Sequence, residues 1–385
     1  MSTITDKPPS AEPSVGQSTA GKQTSALAAS MRILLPLILS IGFLALALRG
    51  TDLSALADSL AGVHYGWIAV VVGLIFLSSA VRAFRWGYMM PRTERKVAFR
   101  PLLSSVFIGY LVNNLLPRAG EIARVYCLTR FEPLSMSAVF GTVIAERFLD
   151  MLCMFLLLLA LPFLYHGPLI EHFPWLQQGS ITGVIVITAI LVVIVVLVQR
   201  RESALKIIET LSRLLPSRIR PVAIRIARGF LDGLEFVRRP EAGIPMILLT
   251  GLLWFLYALM MYSGMYAFGL GETLGFDAAL VMMAITTVGV VIPAPGATGT
   301  YHFFAVATLT GLYGVSRPTA MSFAVVNHAA IFLGSSLFGV IYLVLDRDKI
   351  ILSSLRGMLR SRHNVAEGEA GSSTVSEQPA SPSGP

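Results

Sequence analysis

Charge is what this sequence has least of. Only 14% of its 385 residues are Asp, Glu, Lys or Arg, against 55% hydrophobic. A soluble domain of this length needs far more charge to cover its surface, and several runs reach the ~20 apolar residues that cross a bilayer core. Cysteine is nearly absent. Cys127 and Cys153 lie in or near apolar segments and give neither a disulfide framework nor metal-ligand spacing, so both read as buried thiols. No Walker A sequence, H-E-x-x-H pair, Cys/His cluster or nucleophile elbow occurs, which leaves no sign of ATP drive, metal, nucleotide or other cofactor. The net charge of +8 sits beside apolar spans with no interleaved aromatics, a pattern of loops facing anionic lipid and not of nucleic-acid binding.

What is present is an all-α polytopic membrane protein. Residues 1–30 and 361–385, rich in Ser, Pro, Ala, Gly or Glu, read as disordered tails, the second within a cytoplasmic tail over 346–385. The membrane domain spans 31–345. Its first run, 33–48, lacks a small-residue cleavage site and reads as an uncleaved span. Full spans are expected at 32–48, 66–82, 137–165, 181–199, 244–270 and 319–345. Two further apolar regions, 101–133 and 276–314, are broken by Pro and Gly.

Lys and Arg orient these segments. The stretch 82–100, with Arg82, Arg85, Arg92, Arg95, Lys96 and Arg100, and the stretch 200–240, with ten basic residues, are both expected inside. The loop 166–180 has none and is expected outside. Segment 101–133 then has to enter and leave by the inner face, and 276–314 by the outer face. Each half, 32–165 and 181–345, reads as span, span, re-entrant hairpin, span, in opposite orientation. Paired broken segments at corresponding positions of inverted halves point to a midplane site. The alternative for each hairpin is a pair of short interfacial helices. Between spans, 202–240 reads as two amphipathic helices on the cytoplasmic leaflet, with Leu205, Ile208, Leu211 and Leu215 on one face and Ile226, Phe230, Leu234 and Val237 on the next.

Ionisable groups inside a bilayer are costly, so each is a candidate site residue. The first hairpin holds Asn113, Asn114, Arg118, Glu121 and Arg124 around the break Pro117-Arg118-Ala119-Gly120. A helix restarting near Gly120 would aim free N–H groups at an anion, and the arginines would add bidentate donors for phosphate. Span 137–165 adds Glu146, Arg147 and Asp150, which read equally as cavity lining or as an internal ion-pair cluster. The second hairpin offers Pro295, Gly296, Gly299 and Thr300, where backbone can approach a ligand, then His302; His328 lies in the last span. Each His reads first as a hydrogen-bonded packing residue and second as a proton carrier.

The run Asn113-Asn114-Leu115-Leu116-Pro117-Arg118-Ala119-Gly120-Glu121, then Arg124, then Glu146-Arg147-Phe148-Leu149-Asp150, resembles a flippase-like membrane family related to the transmembrane part of lysylphosphatidylglycerol synthetase. Pro293 to Gly299 resembles its second motif, and Arg82 with Arg85-Trp86 its early basic motif; the likeness covers about 32–345. It implies that a lipid headgroup, modified or lipid-linked, is bound and moved between leaflets, with a lipid-making enzyme as the expected partner. Its second motif usually ends in Glu, where this chain has His302. The aminoacylating members carry a soluble catalytic domain that is not expected here. The expected function is a non-enzymatic lipid translocator or lipid-binding protein of a bacterial-type inner membrane, both termini cytoplasmic. The alternatives are a membrane transferase acting on a lipid-linked phosphate and a secondary transporter of a small organic anion.

Overall fold

A computed structural model of the protein describes residues 38–50, 52–90, 97–116, 118–165, 171, 173, 175–234 and 240–373, and among them there is no strand. In hydrocarbon every backbone N–H and C=O has to be paired within the chain, which a helix achieves by itself. The helices follow in order: α1 Ile38–Leu48, α2 Leu53–Ala61, α3 Tyr65–Tyr88, α4 Phe99–Leu115, α5 Gly120–Phe131, α6 Met136–Leu164, α7 Trp175–Gln199, α8 Arg201–Ser212, α9 Arg220–Gly233, α10 Pro240–Tyr266, α11 Phe276–Val291, α12 Thr300–Tyr313 and α13 Arg317–Ser373. Among the described residues three stretches are long and apolar enough to cross a bilayer, Tyr65–Tyr88, Glu241–Tyr266 and Arg317–Lys349, and shorter apolar helices accompany them. The expected tail over 1–30 and the loop basic residues Arg92, Arg95 and Lys96 lie outside the described residues.

The Pro/Gly breaks fall where the sequence puts them. After α4 the backbone turns extended at Leu116 (φ −131°, ψ 110°), reverses through Arg118 at φ 64°, and restarts as α5. Pro117 itself lies outside the described residues. In the second half α11 ends at an extended Ile292, and the chain passes through a short 3-10 turn, Pro295–Ala297, and Gly299 at φ 85° before α12. Each pair folds back on itself, α4 against α5 and α11 against α12. The long helices α3 and α10 pack together, α4 lies on α13, and α11 lies on α6.

The span expected at 66–82 runs on to Tyr88, because Ala83, Phe84, Trp86 and Gly87 continue the apolar pattern past the two arginines. Likewise α13 carries beyond 345 to Ser373 as one helix.

The amphipathic reading of 202–240 becomes α8 and α9, and α9 crosses α6 at very short range. A Cβ added at Gly229 would meet the backbone of Ala138, and one at Gly141 the backbone of Ile226 and Gly229. Small residues let two helix backbones approach this closely. Replacing Gly229 by Val is expected to cost about 1–3 kcal/mol through overpacking, read as a lower unfolding midpoint in detergent.

Candidate functional site

The charges of α3, α5 and α6 converge on one buried cluster. Glu146, fully buried, lies 2.7 Å from Arg124 Nη1, 3.1 Å from Arg82 Nη1 and 3.3 Å from Arg85 Nη2. Asp150, one helical turn on and sharing the face, takes Arg85 Nη2 at 2.7 Å and Arg82 Nη2 at 3.0 Å. Three arginines from two helices therefore meet two carboxylates on a third. Helix α10 closes the far side: Tyr257 Oη accepts from Arg82 at 3.1 Å and Thr250 Oγ1 from Arg85 at 3.4 Å. Trp86 lies under the Arg124 guanidinium, 3.6 Å from ring centroid to Cζ, and donates its indole N–H to Thr142 on α6 at 3.0 Å. Such stacking holds an arginine in place while leaving its N–H edge available.

That edge is the chemically informative part. Arg124 is 3% exposed, yet its Nε and Nη2 have no hydrogen-bond acceptor among the described residues. A buried donor left unpaired costs about 1–3 kcal/mol, more when charged. Beside it opens a narrow cleft lined by Val106, Gly109, Tyr110, Asn113, Gly120, Glu121, Arg124 and Arg147. Glu121 holds Arg147 at 3.5 Å, and Arg147 lies 3.8 Å from Asp150. The whole cluster thus sets four guanidiniums against three carboxylates, one positive charge in excess.

Gly120 allows this geometry. A Cβ there would strike Gly109 O and the Asn113 side chain, so α5 lies close against α4. Its N–H donates to Asn113 Oδ1 at 2.9 Å. The first donor of the restarted helix is therefore capped from within and is not a free N–H aimed at a ligand. Glu121 pairs with Arg147, and Asn113 Nδ2 donates to Glu121 Oε1 at 3.5 Å.

The remaining candidates lie apart from the cleft. Arg118 is exposed, forms no ion pair among the described residues, and carries its left-handed backbone at the hairpin tip. Asn114 turns to α13, donating to Phe332 O, Ser335 Oγ and Ser336 Oγ at 3.2, 3.1 and 2.9 Å. Asn114→Ala is expected to lose about 1–2 kcal/mol from these bonds, visible as earlier thermal unfolding. Pro295, Gly296, Gly299, Thr300 and His302 do not line the cleft. The Pro295–Ala297 turn does touch α4, so the two hairpin tips meet near Asn114, but at a second polar knot. There His302 Nδ1 accepts from Gly299 N at 3.3 Å, His328 Nε2 lies 2.8 Å from Gly296 O, and Asn327 donates to Tyr301 Oη at 2.8 Å. His302 fixes the start of α12, the packing role expected first for both histidines.

Arg82 and Arg85 lie where the charge pattern does not place them. Counted as cytoplasmic loop charges, they are 5% and 0% exposed within α3. Two signals were present. They stand three apart on one helical face inside an uninterrupted apolar pattern, and Glu146 with Asp150 needs more cation than Arg147 alone supplies. Tyr257 and Thr250 carried no such signal.

Membrane-length apolar helices wrapped around a buried ion-pair cluster define a multi-pass helical membrane protein. A family model, the lysylphosphatidylglycerol synthase TM region, matches residues 33–339, and the chain belongs to that family. It is similar to a UPF0104 membrane protein of Pyrococcus horikoshii, 25% identical over 303 residues that cover 75% of this chain and 89% of the relative. A second UPF0104 membrane protein, from Methanothermobacter thermautotrophicus, is 24% identical over 294 residues, covering 74% and 86% of the two chains. No solved structure matches.

Proposed function

We propose that the protein binds the anionic part of a lipid or lipid-linked headgroup at Arg124 and moves it between leaflets. The observation that carries this reading is that Arg124, which lines the cleft, keeps two buried N–H groups with no acceptor among the described residues, inside a cluster that holds one surplus positive charge. An oxyanion satisfies both defects at once: it accepts the orphaned donors in the forked geometry that guanidinium presents, and it neutralises the excess. Gly109 and Gly120 let α4 and α5 approach closely enough to bring Arg124 to the cleft wall.

In this reading the two Pro/Gly-broken pairs, α4–α5 and α11–α12, are re-entrant hairpins of inverted halves. Each lies on the last long helix of the other half, α4 on α13 and α11 on α6, which favours a swapped, two-fold arrangement. Rocking of the halves about the α3–α10 contact then opens the cleft to alternate faces. The membrane is a bacterial-type inner membrane with both termini inside, as the Lys/Arg bias favours. The test is mass spectrometry of lipids retained after gentle detergent purification, wild type beside Arg124→Ala. One anionic species enriched in the wild type and lost in the variant is the expected result. Equal retention by both rejects the assignment.

A further inference from the structure

We propose that the turn between α8 and α9 is a docking surface for anionic phospholipid of the protein's own membrane. Its apolar side chains lie open: Leu214 is 84% exposed, Ile207 59%, Leu211 58% and Ile219 52%. Interleaved with them, Lys206, Arg213, Arg218 and Arg225 are exposed and form no ion pair among the described residues. Water is a poor partner for the first set, and the second set has no carboxylate to answer it. A leaflet carrying negative headgroups answers both, taking the leucines at the acyl boundary and the cations at the phosphates.

Two features hold the surface out for this purpose. Helix α8 begins one residue after the apolar α7 ends, across Arg200, so the turn stays tethered to the end of an apolar helix. The opposite side of α9 is used up in the Gly229–Gly141 crossing with α6, leaving the turn's outer residues no room to fold inward. Within the turn, Arg220 donates to the Ser212 and Arg213 carbonyls at 3.2 and 3.3 Å, and Arg228 pairs with Glu209 at 2.9 Å. These bonds fix the α8–α9 angle and offset one local cation, Arg228, while Arg220 keeps its charge with its donors engaged; the cations whose donors are left for a partner are Lys206, Arg213, Arg218 and Arg225. An acidic protein segment meets the same charges but not the adjoining row of aliphatic side chains, which is why lipid is favoured.

The experiment uses the full chain with Cys127 and Cys153 replaced by Ala and an environment-sensitive fluorophore on Ser217→Cys, at the exposed turn. The protein is reconstituted into vesicles of brominated phosphatidylcholine, alone or mixed with brominated phosphatidylglycerol. Stronger quenching in the anionic vesicles, reversed by high salt, is expected. In Arg213→Gln/Arg218→Gln, partitioning should fall about fivefold per arginine removed, the factor corresponding to ~1 kcal/mol per basic residue near a charged surface. The salt titration of the labelled protein reads the same interaction without these charge substitutions. A label equally water-exposed in both compositions overturns the proposal. So does equal quenching in both, or shielding by a polyglutamate peptide where anionic vesicles give none.

Discussion

Replacing Glu146 by Gln is expected to destabilise the protein by about 3–5 kcal/mol, the cost of leaving buried charge uncompensated. Glu146 touches all three buried arginines, and its side chain is fully buried. Gln keeps the volume and removes the charge, so three guanidiniums remain against Asp150 alone. The measurement is thermal unfolding in detergent followed by tryptophan fluorescence. Asp150→Asn should cost less, because that side chain is 15% exposed and pairs with two of the three buried arginines, Arg82 and Arg85. Glu146→Gln combined with Arg124→Gln should recover part of the loss, since two arginines against one carboxylate restores the wild-type excess of one. Wild-type stability in Glu146→Gln would mean the cluster is hydrated, with water and not an anion meeting the buried donors.

This cluster also shows where sequence reasoning reaches and where it stops. The breaks at Pro117–Gly120 and Pro293–Gly299 were legible because Pro and Gly act locally, through a missing N–H and, at Gly296 and Gly299, a permitted positive φ; that the first break places its positive φ on Arg118 was not. The carboxylates of α6 were legible because Glu146 and Asp150 stand four apart inside an apolar run. Arg82 and Arg85 were assigned to the wrong environment because the positive-inside rule counts arginines without asking whether each has a buried partner. That partner lies more than 60 positions along the chain, and only packing brings it within 3 Å. Asn114 and His302 were legible as polar residues at a break but not as what they are, a link from α4 to α13 and a helix cap, because both roles depend on which backbone carbonyl or N–H arrives beside them.

Arg124→Ala should shift the pattern of Glu146→Gln, with a smaller loss of stability, from the lost Glu146 pair and the emptied volume over Trp86, and a large loss of binding. Without Arg124, Arg82 and Arg85 still face Glu146 and Asp150, two charges against two, and every remaining ion pair of that core survives. What disappears is the surplus charge and the two unpaired donors of a cleft-lining residue. Hydrogen bonds to charged groups contribute about 1.5–3 kcal/mol each, so losing two predicts a fall in anion affinity of about a hundredfold or more. Arg124→Lys should lie between, keeping the charge but not the fork. Trp86, stacked on Arg124 at 3.6 Å, supplies the readout: titration with a short-chain anionic lipid should change its emission in the wild type and leave Arg124→Ala flat. An unchanged titration in Arg124→Ala, with the protein still folded, would move the anion site away from this cleft. A collapse of folding instead would make Arg124 the third member of a structural triad, its unpaired N–H groups met by water in place of a headgroup.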